Sequence, residues 1–147
     1  MNSDKVEIIN FKEVLFGIIV RSEFSSDGIS FFTDPLLSQQ LAFMKHPKGK
    51  VIDPHIHNPV PREVLYTNEV LWIKKGTMRV DFYSDEREFL ESRKLYQGDV
   101  ILLVGGGHGF FVEDDVEFFE VKQGPYAGES DKTRFSSPLT KVVEEKI

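Results

Sequence analysis

Residues 69–83 read EVLWIKKGTMRVDFY. Two runs rich in Val, Ile, Leu, Trp, Phe and Tyr flank Gly76, and such side chains suit a pleated, half-buried surface. The stretch predicts strands at Glu69–Lys75 and Thr77–Tyr83, joined by a hairpin at Gly76, where a glycine accommodates a tight turn. The same texture continues in both directions. Further strands are expected at Leu15–Phe24, Gly28–Thr33, Gln40–His46, Val51–His57, Val100–Val104, Gly109–Glu113 and Val116–Gln123. Turn signals such as Ser25-Ser26-Asp27-Gly28, Pro47-Lys48-Gly49-Lys50 and Gln97-Gly98-Asp99 separate them. Many short strands at close spacing argue for an all-β barrel or sandwich. Only Asp34–Gln40 (DPLLSQQ) reads as a short helical turn, with Asp34 as N-cap and Pro35 in the first helical position.

The 147 residues are about the length of one ordinary domain. No repeat, linker or low-complexity tract divides them, so one domain is expected over residues 1–135, followed by a polar tail at 136–147. Eighteen Lys and Arg against 24 Asp and Glu give a net charge of −6, which disfavours a nucleic-acid partner. There is no cysteine, which excludes disulfides, thiolate metal sites and a thiol nucleophile. The apolar run Val14–Val20 (VLFGIIV) is far shorter than the ~20 residues that span a bilayer, and acidic residues precede it. It reads as a half-buried strand. A cytoplasmic protein without a membrane partner is the expectation.

Two of the four histidines form His55-Ile56-His57. On a strand, residues two apart share a face at roughly 6–7 Å, so both imidazoles would project together and converge on one metal ion. Glu69 opens the strand that ends at Gly76, and Gly105-Gly106-Gly107 precedes His108 in a turn where glycines allow close backbone approach. Two neighbouring hairpins would focus these four side chains. Each also has a plainer reading: surface histidines on an edge strand, a solvated strand end, a loop histidine bonded to backbone. His46, before Pro47, reads as a turn residue.

These residues resemble the motifs of the cupin superfamily. Gly49-(KVIDP)-His55-Ile56-His57 matches the first half of its first motif, and Glu69-(VLWIKK)-Gly76 matches the second half. Eleven residues, NPVPREVLYTN, stand between His57 and Glu69 in place of the usual three or four. Glu63 lies nearer the usual distance from His57. Glu69 is preferred because its register to Gly76 fixes the face it occupies. In the second motif Gly98 and Gly106 fit, Val104 replaces a proline, His108 arrives one residue early, and Val112 stands where an Asn is usual. The resemblance covers residues 40–123. The segments REVLYTNEVLWIKKG, GGGHGFF and EVKQGPYAG are similar to small single-domain cupins associated with cell-surface polysaccharide or sugar-nucleotide pathways.

The resemblance implies a single-domain jelly-roll barrel holding one divalent metal through His55, His57, Glu69 and His108. With one oxygen and three imidazole ligands, Fe, Mn, Ni, Co and Zn all suit such a set. Open positions on the ion would admit a small oxygen-rich substrate, such as a sugar derivative or keto acid, for isomerase-, epimerase- or dioxygenase-like chemistry. The alternatives are a non-catalytic module that binds a small ligand through the metal, and a metal that only pins the barrel. Glu63 and Tyr66, in the long insertion, are the candidates for catalysis and substrate contact. Lys122 and Gln123 end the last strand with their facing open, and Gln123 is taken as a third substrate contact. Trp72 alternates opposite to Glu69 and should face away from the interior. Small cupins resemble one another in pairing through N-terminal strands, so a homodimer is expected through Leu15–Val20 if that strand is an uncovered edge. Otherwise the strand completes its own sheet.

Overall fold

The computed structural model describes residues 3–139. Among them run ten strands: β1 (Val6–Phe11), β2 (Val14–Val20), β3 (Gly28–Phe31), β4 (Ala42–Lys45), β5 (Glu69–Lys75), β6 (Met78–Tyr83), β7 (Phe89–Leu95), β8 (Val100–Leu103), β9 (Gly107–Val112) and β10 (Glu117–Lys122). All pairings are antiparallel. They make a five-stranded sheet ordered β1-β2-β8-β5-β10, a three-stranded sheet ordered β7-β6-β9, and the separate pair β3-β4. The protein is therefore all-β, and its described strands form three sheets without closing into a barrel.

The two larger sheets face each other. Ile19, Leu71, Ile73 and Ile101 from the five-stranded sheet pack with Met78, Val80, Phe82 and Leu95 from the three-stranded one. The outer face of the five-stranded sheet carries a second cluster of Ile18, Val20 and Leu102. Phe24, Phe32, Leu37 and Leu41 cover it from the segment around β3. This double burial corrects the half-buried reading of VLFGIIV: Ile18 and Ile19 are both buried, on opposite faces of β2. A register shift leaves Phe16 unopposed between Gly17, which pairs with Ile9, and Leu15, which pairs with Asn10. Such a bulge re-aims a side chain, here turning Phe16 into the inter-sheet core.

Gly76 does not turn a hairpin. β5 pairs with β8 and β10, whereas β6 pairs with β7 and β9, so the chain passes from one sheet to the other at Gly76. Its φ is 83°, and a Cβ there would collide with the Asp115 carbonyl, which lies on the return crossing from β9 to β10. Gly106 makes the crossing from β8 to β9. Of the three consecutive glycines it alone has positive φ, 65°, and a Cβ would enter the Phe16 ring.

Several expectations are revised. Val51–His57 forms no strand, because Pro54, Pro59 and Pro61 withhold the amide donors that a ladder needs. DPLLSQQ is a turn rather than a helix. The Leu36 amide donates to Asp34 Oδ1 at 2.8 Å and the Leu37 amide to the Asp34 carbonyl at 3.0 Å, so the aspartate side chain competes with helical bonding. Leu15–Val20 is not an uncovered edge, since β2 is paired by β1 on one side and β8 on the other. Of the tail, residues 140–147 lie outside the described residues. Its beginning is tied down: Tyr83 donates through its hydroxyl to Ser137 Oγ at 2.7 Å, and Ser137 is buried.

Candidate functional site

Antiparallel partners share a face, so the register locates the inward side chains. On β5, Glu69 follows the parity of Leu71 and Ile73, which lie in the core. On β9, His108 stands opposite the core residue Phe82 and Phe110 opposite Val80. On β10, Phe118, Glu120 and Lys122 stand opposite Ile73, Leu71 and Glu69. All six therefore face the space between the sheets, at the flank where β9 and β10 are the outermost strands. The core is not closed there: Phe110 is 40% exposed and Phe118 41%.

Across this mouth His108 Nε2 lies 3.2 Å from Glu69 Oε2. A carboxylate only accepts, so Nε2 carries the proton and donates it. Lys122 Nζ stands 3.8 Å from the other oxygen, Oε1, and 3.3 Å from Glu120 Oε1. The hydrogen bond from His108 holds the Glu69 carboxyl below the usual carboxylate range, against partial burial, which acts in the opposite direction. Glu120 chiefly, with Glu69 helping, raises the Lys122 ammonium above its ordinary value. The result is a carboxylate–imidazole pair from two different sheets, with an ammonium group beside it. Only 14% of the Glu69 side chain and 29% of the His108 side chain are exposed. Lys122, rather than Gln123, occupies the inward position, since it stands opposite Glu69 on β5; the Gln123 side-chain amide donates to the Gly124 carbonyl at 2.9 Å.

The other expected ligands are elsewhere. Residues 47–63 are exposed without exception, and this arm carries both His55 and His57. Their rings are 5.2 Å apart edge to face, and His55 Nδ1 lies 3.0 Å from the Asp53 carbonyl. Among the described residues, no three His, Asp or Glu side chains are grouped as a metal site. The four expected ligands thus stand as two pairs. Their separation follows from the prolines, which leave the H-x-H segment without a strand partner. Glu63, at the end of this arm, and Tyr66, just beyond it, are exposed, and no contact joins either to the Glu69–His108 pair among the described residues. His46 is half-buried beside Asp27, Gly28, Lys45 and Lys50, away from the mouth. Trp72 takes the predicted outward face of β5 and stacks on Phe119, with ring centroids 5.8 Å apart.

Lys122 was legible from the alternation of β10 once its pairing with β5 is known, but not before. The fold and site define an all-β protein of three antiparallel sheets with an acid–base pair at an open flank. Comparisons with family models, curated proteins and solved structures find no match for this chain.

Proposed function

We propose that this is a cupin-like protein whose small-molecule site is the mouth at Glu69, His108 and Lys122, and that it is an enzyme of the isomerase or epimerase kind. The observation that carries the reading is the 3.2 Å bond between His108 and Glu69 across the two sheets. Glu69 fixes the Nε2–H tautomer, so in the neutral ring Nδ1 is the proton acceptor, and a carboxylate so placed also steadies the imidazolium that forms. Lys122 supplies positive charge for a carboxylate, phosphate or developing enolate oxygen. Proton transfer next to a carbonyl, in a sugar derivative or keto acid, is the chemistry this set performs best.

A metal-bound form is an alternative use of the same pair, since an ion on His108 Nε2 would leave the ring proton on Nδ1 and take away the base. Adjacent donors on an ion with bonds of ~2.1 Å lie roughly 3.0–3.4 Å apart, and Glu69 Oε2 and His108 Nε2 match that spacing once Nε2 has lost its proton. When bound, such an ion would polarise a substrate oxygen as a Lewis acid. Within one chain this pair holds two of the four expected ligands, while His55 and His57 form a separate pair. A second reading, a module that binds without turnover, is favoured because Glu63 and Tyr66 are solvent-exposed and no contact joins either to the pair among the described residues, which leaves no further proton donor identified.

The test uses keto sugars, nucleotide-activated sugars and 2-keto acids incubated with the protein in D2O, with deuterium at the α-carbon read by NMR. Incorporation by the wild type, slowed about 10²–10⁴-fold in His108→Gln, is expected for an enzyme. Thermal stabilisation by a ligand without incorporation would favour the binding module. Neither effect with any compound would overturn the site.

A further inference from the structure

Opposite the mouth, β1 and β7 are the outermost strands of the two facing sheets. The gap between them is bridged at one end, where Arg93 Nε donates to Glu7 Oε2 at 3.0 Å. At the other end each sheet carries a β-bulge. Phe16 is the unopposed residue of the β1–β2 ladder, between the rungs Ile9–Gly17 and Asn10–Leu15. Leu90 is its counterpart in the β6–β7 ladder, between the rungs Phe82–Glu91 and Tyr83–Phe89. A bulge bends its strand and increases the local twist. Two of them face to face part the sheets.

The space so opened is a cavity of about 170 Å³. Its walls are the two bulge residues, Phe16 and Leu90, with Ile9, Phe11 and Phe82 beside them. Phe82 is fully buried and Phe16 and Ile9 nearly so, which makes the inter-sheet core the floor of the cavity. Protein interiors are close-packed, so a hollow of this size reaching the core is exceptional. An apolar cavity of roughly 150 Å³ stays dry and takes up a molecule the size of benzene. Asn10 and Glu91 complete the lining as its polar rim. Glu91 Oε2 is held by Arg93 Nη1 at 2.7 Å. Among the described residues no contact engages Glu91 Oε1 or the Asn10 side-chain amide. Arg93 is shared with Glu7, so one guanidinium serves two carboxylates. Lys12 Nζ lies 5.3 Å over the Phe11 ring but does not line the cavity.

We propose that this cavity is a second ligand site, which takes a small uncharged molecule with an apolar body of about one aromatic ring and a single O–H or N–H. The ring packs against Phe16 and Phe82, and the donor bonds Glu91 Oε1 at the rim. An acid of the same shape is rejected, because its carboxylate meets that of Glu91. A sugar is rejected as well, since its hydroxyls would be unpaired against apolar walls. The site shares no residue with the Glu69–His108 pair and stands whether or not that pair is catalytic.

The test titrates the full chain with benzyl alcohol and, separately, with benzoate, followed by amide chemical shifts and intermolecular NOEs. Benzyl alcohol should saturate with a dissociation constant of about 1 mM, its ring protons giving NOEs to Phe16 and Phe82. Benzoate should bind at least about tenfold more weakly. Leu90→Trp, which fills the hollow, should abolish saturation by the alcohol. Glu91→Gln keeps an acceptor and drops the charge, so it should bring benzoate within about threefold of the alcohol. Shifts that never saturate, NOEs confined to other residues, or unchanged binding by a folded Leu90→Trp chain would overturn the site. Benzoate binding as tightly as the alcohol, or discrimination that survives Glu91→Gln, would overturn the choice of ligand. Should Leu90→Trp fail to fold, the NOEs in the wild type decide alone.

Discussion

Two carboxylates, on opposite flanks of the sandwich, are treated in opposite ways. Asp99, in the turn before β8, is almost completely buried and fully bonded. It accepts from Arg21 Nη1 at 2.8 Å, from the Ser22 amide at 2.9 Å and from the Tyr96 amide at 2.9 Å. Arg21 is held in turn by Glu7 at 2.7 Å, and Arg93 reaches Glu7 at 3.0 Å. The Asp99 and Glu7 partners raise the Arg21 guanidinium above its ordinary value, although burial is the largest single influence and opposes them. Glu69, at the open flank, has one imidazole and one more distant ammonium. A carboxylate surrounded by backbone donors locks a turn. One whose partners come from side chains on separate sheets retains freedom to engage a ligand.

The sharpest break of this comparison is made on the closed flank. Ile19 is fully buried on β2, so Ile19→Lys places an unpaired charge in the core and should cost more than about 4 kcal/mol. Loss of the folded state at every protein concentration, read by circular dichroism, is the expected outcome. A variant that merely dissociates would show that β2 serves an interface. Asp99→Ala comes next. It strands Arg21 and two backbone amides, and urea denaturation should register a loss of about 3–5 kcal/mol.

Glu69→Gln should have the smallest effect on stability, about 1 kcal/mol, because glutamine keeps the shape and a carbonyl oxygen that still accepts from His108. Its sign with pH is defined. The folded Glu69 carboxyl is depressed, so its contribution is present above the ordinary carboxylate range and is lost as pH falls through the folded value. The small gap in melting temperature between wild type and variant should therefore close in acid. A gap that widens in acid would reverse the assignment of Glu69 as the ionised partner of His108.

Much of the fold was legible in single segments. EVLWIKK was placed at Glu69–Lys75, where β5 runs, because its alternation and its terminating glycine agree. β1 and β7 were not found. β7, FLESRKL, carries Glu91, Arg93 and Lys94 and no β-branched residue, and it is a strand because β6 supplies a ladder beside it, interrupted only by a bulge at Leu90. Partners, not propensity, make that strand, and their identity is long-range information. The converse holds for VIDPHIH, whose apolar alternation reads as a strand but whose described structure supplies no partner. Glu69 and His108 were legible as chemistry, yet their meeting depends on two sheet crossings that local patterns read as hairpins.

The straddling of two sheets by one hydrogen bond has a mechanical consequence. Glu69 moves with the five-stranded sheet and His108 with the three-stranded one, so the bond between them gauges the gap. A molecule that wedges the mouth open unlatches the imidazole before it displaces either backbone. Gly106, just before His108, and Gly76, beyond the end of β5 away from Glu69, are each seated tightly against a neighbour and tie the two sheets together. Under the proposed function, stiffness at these corners would set how wide a molecule the pair grips while remaining hydrogen-bonded.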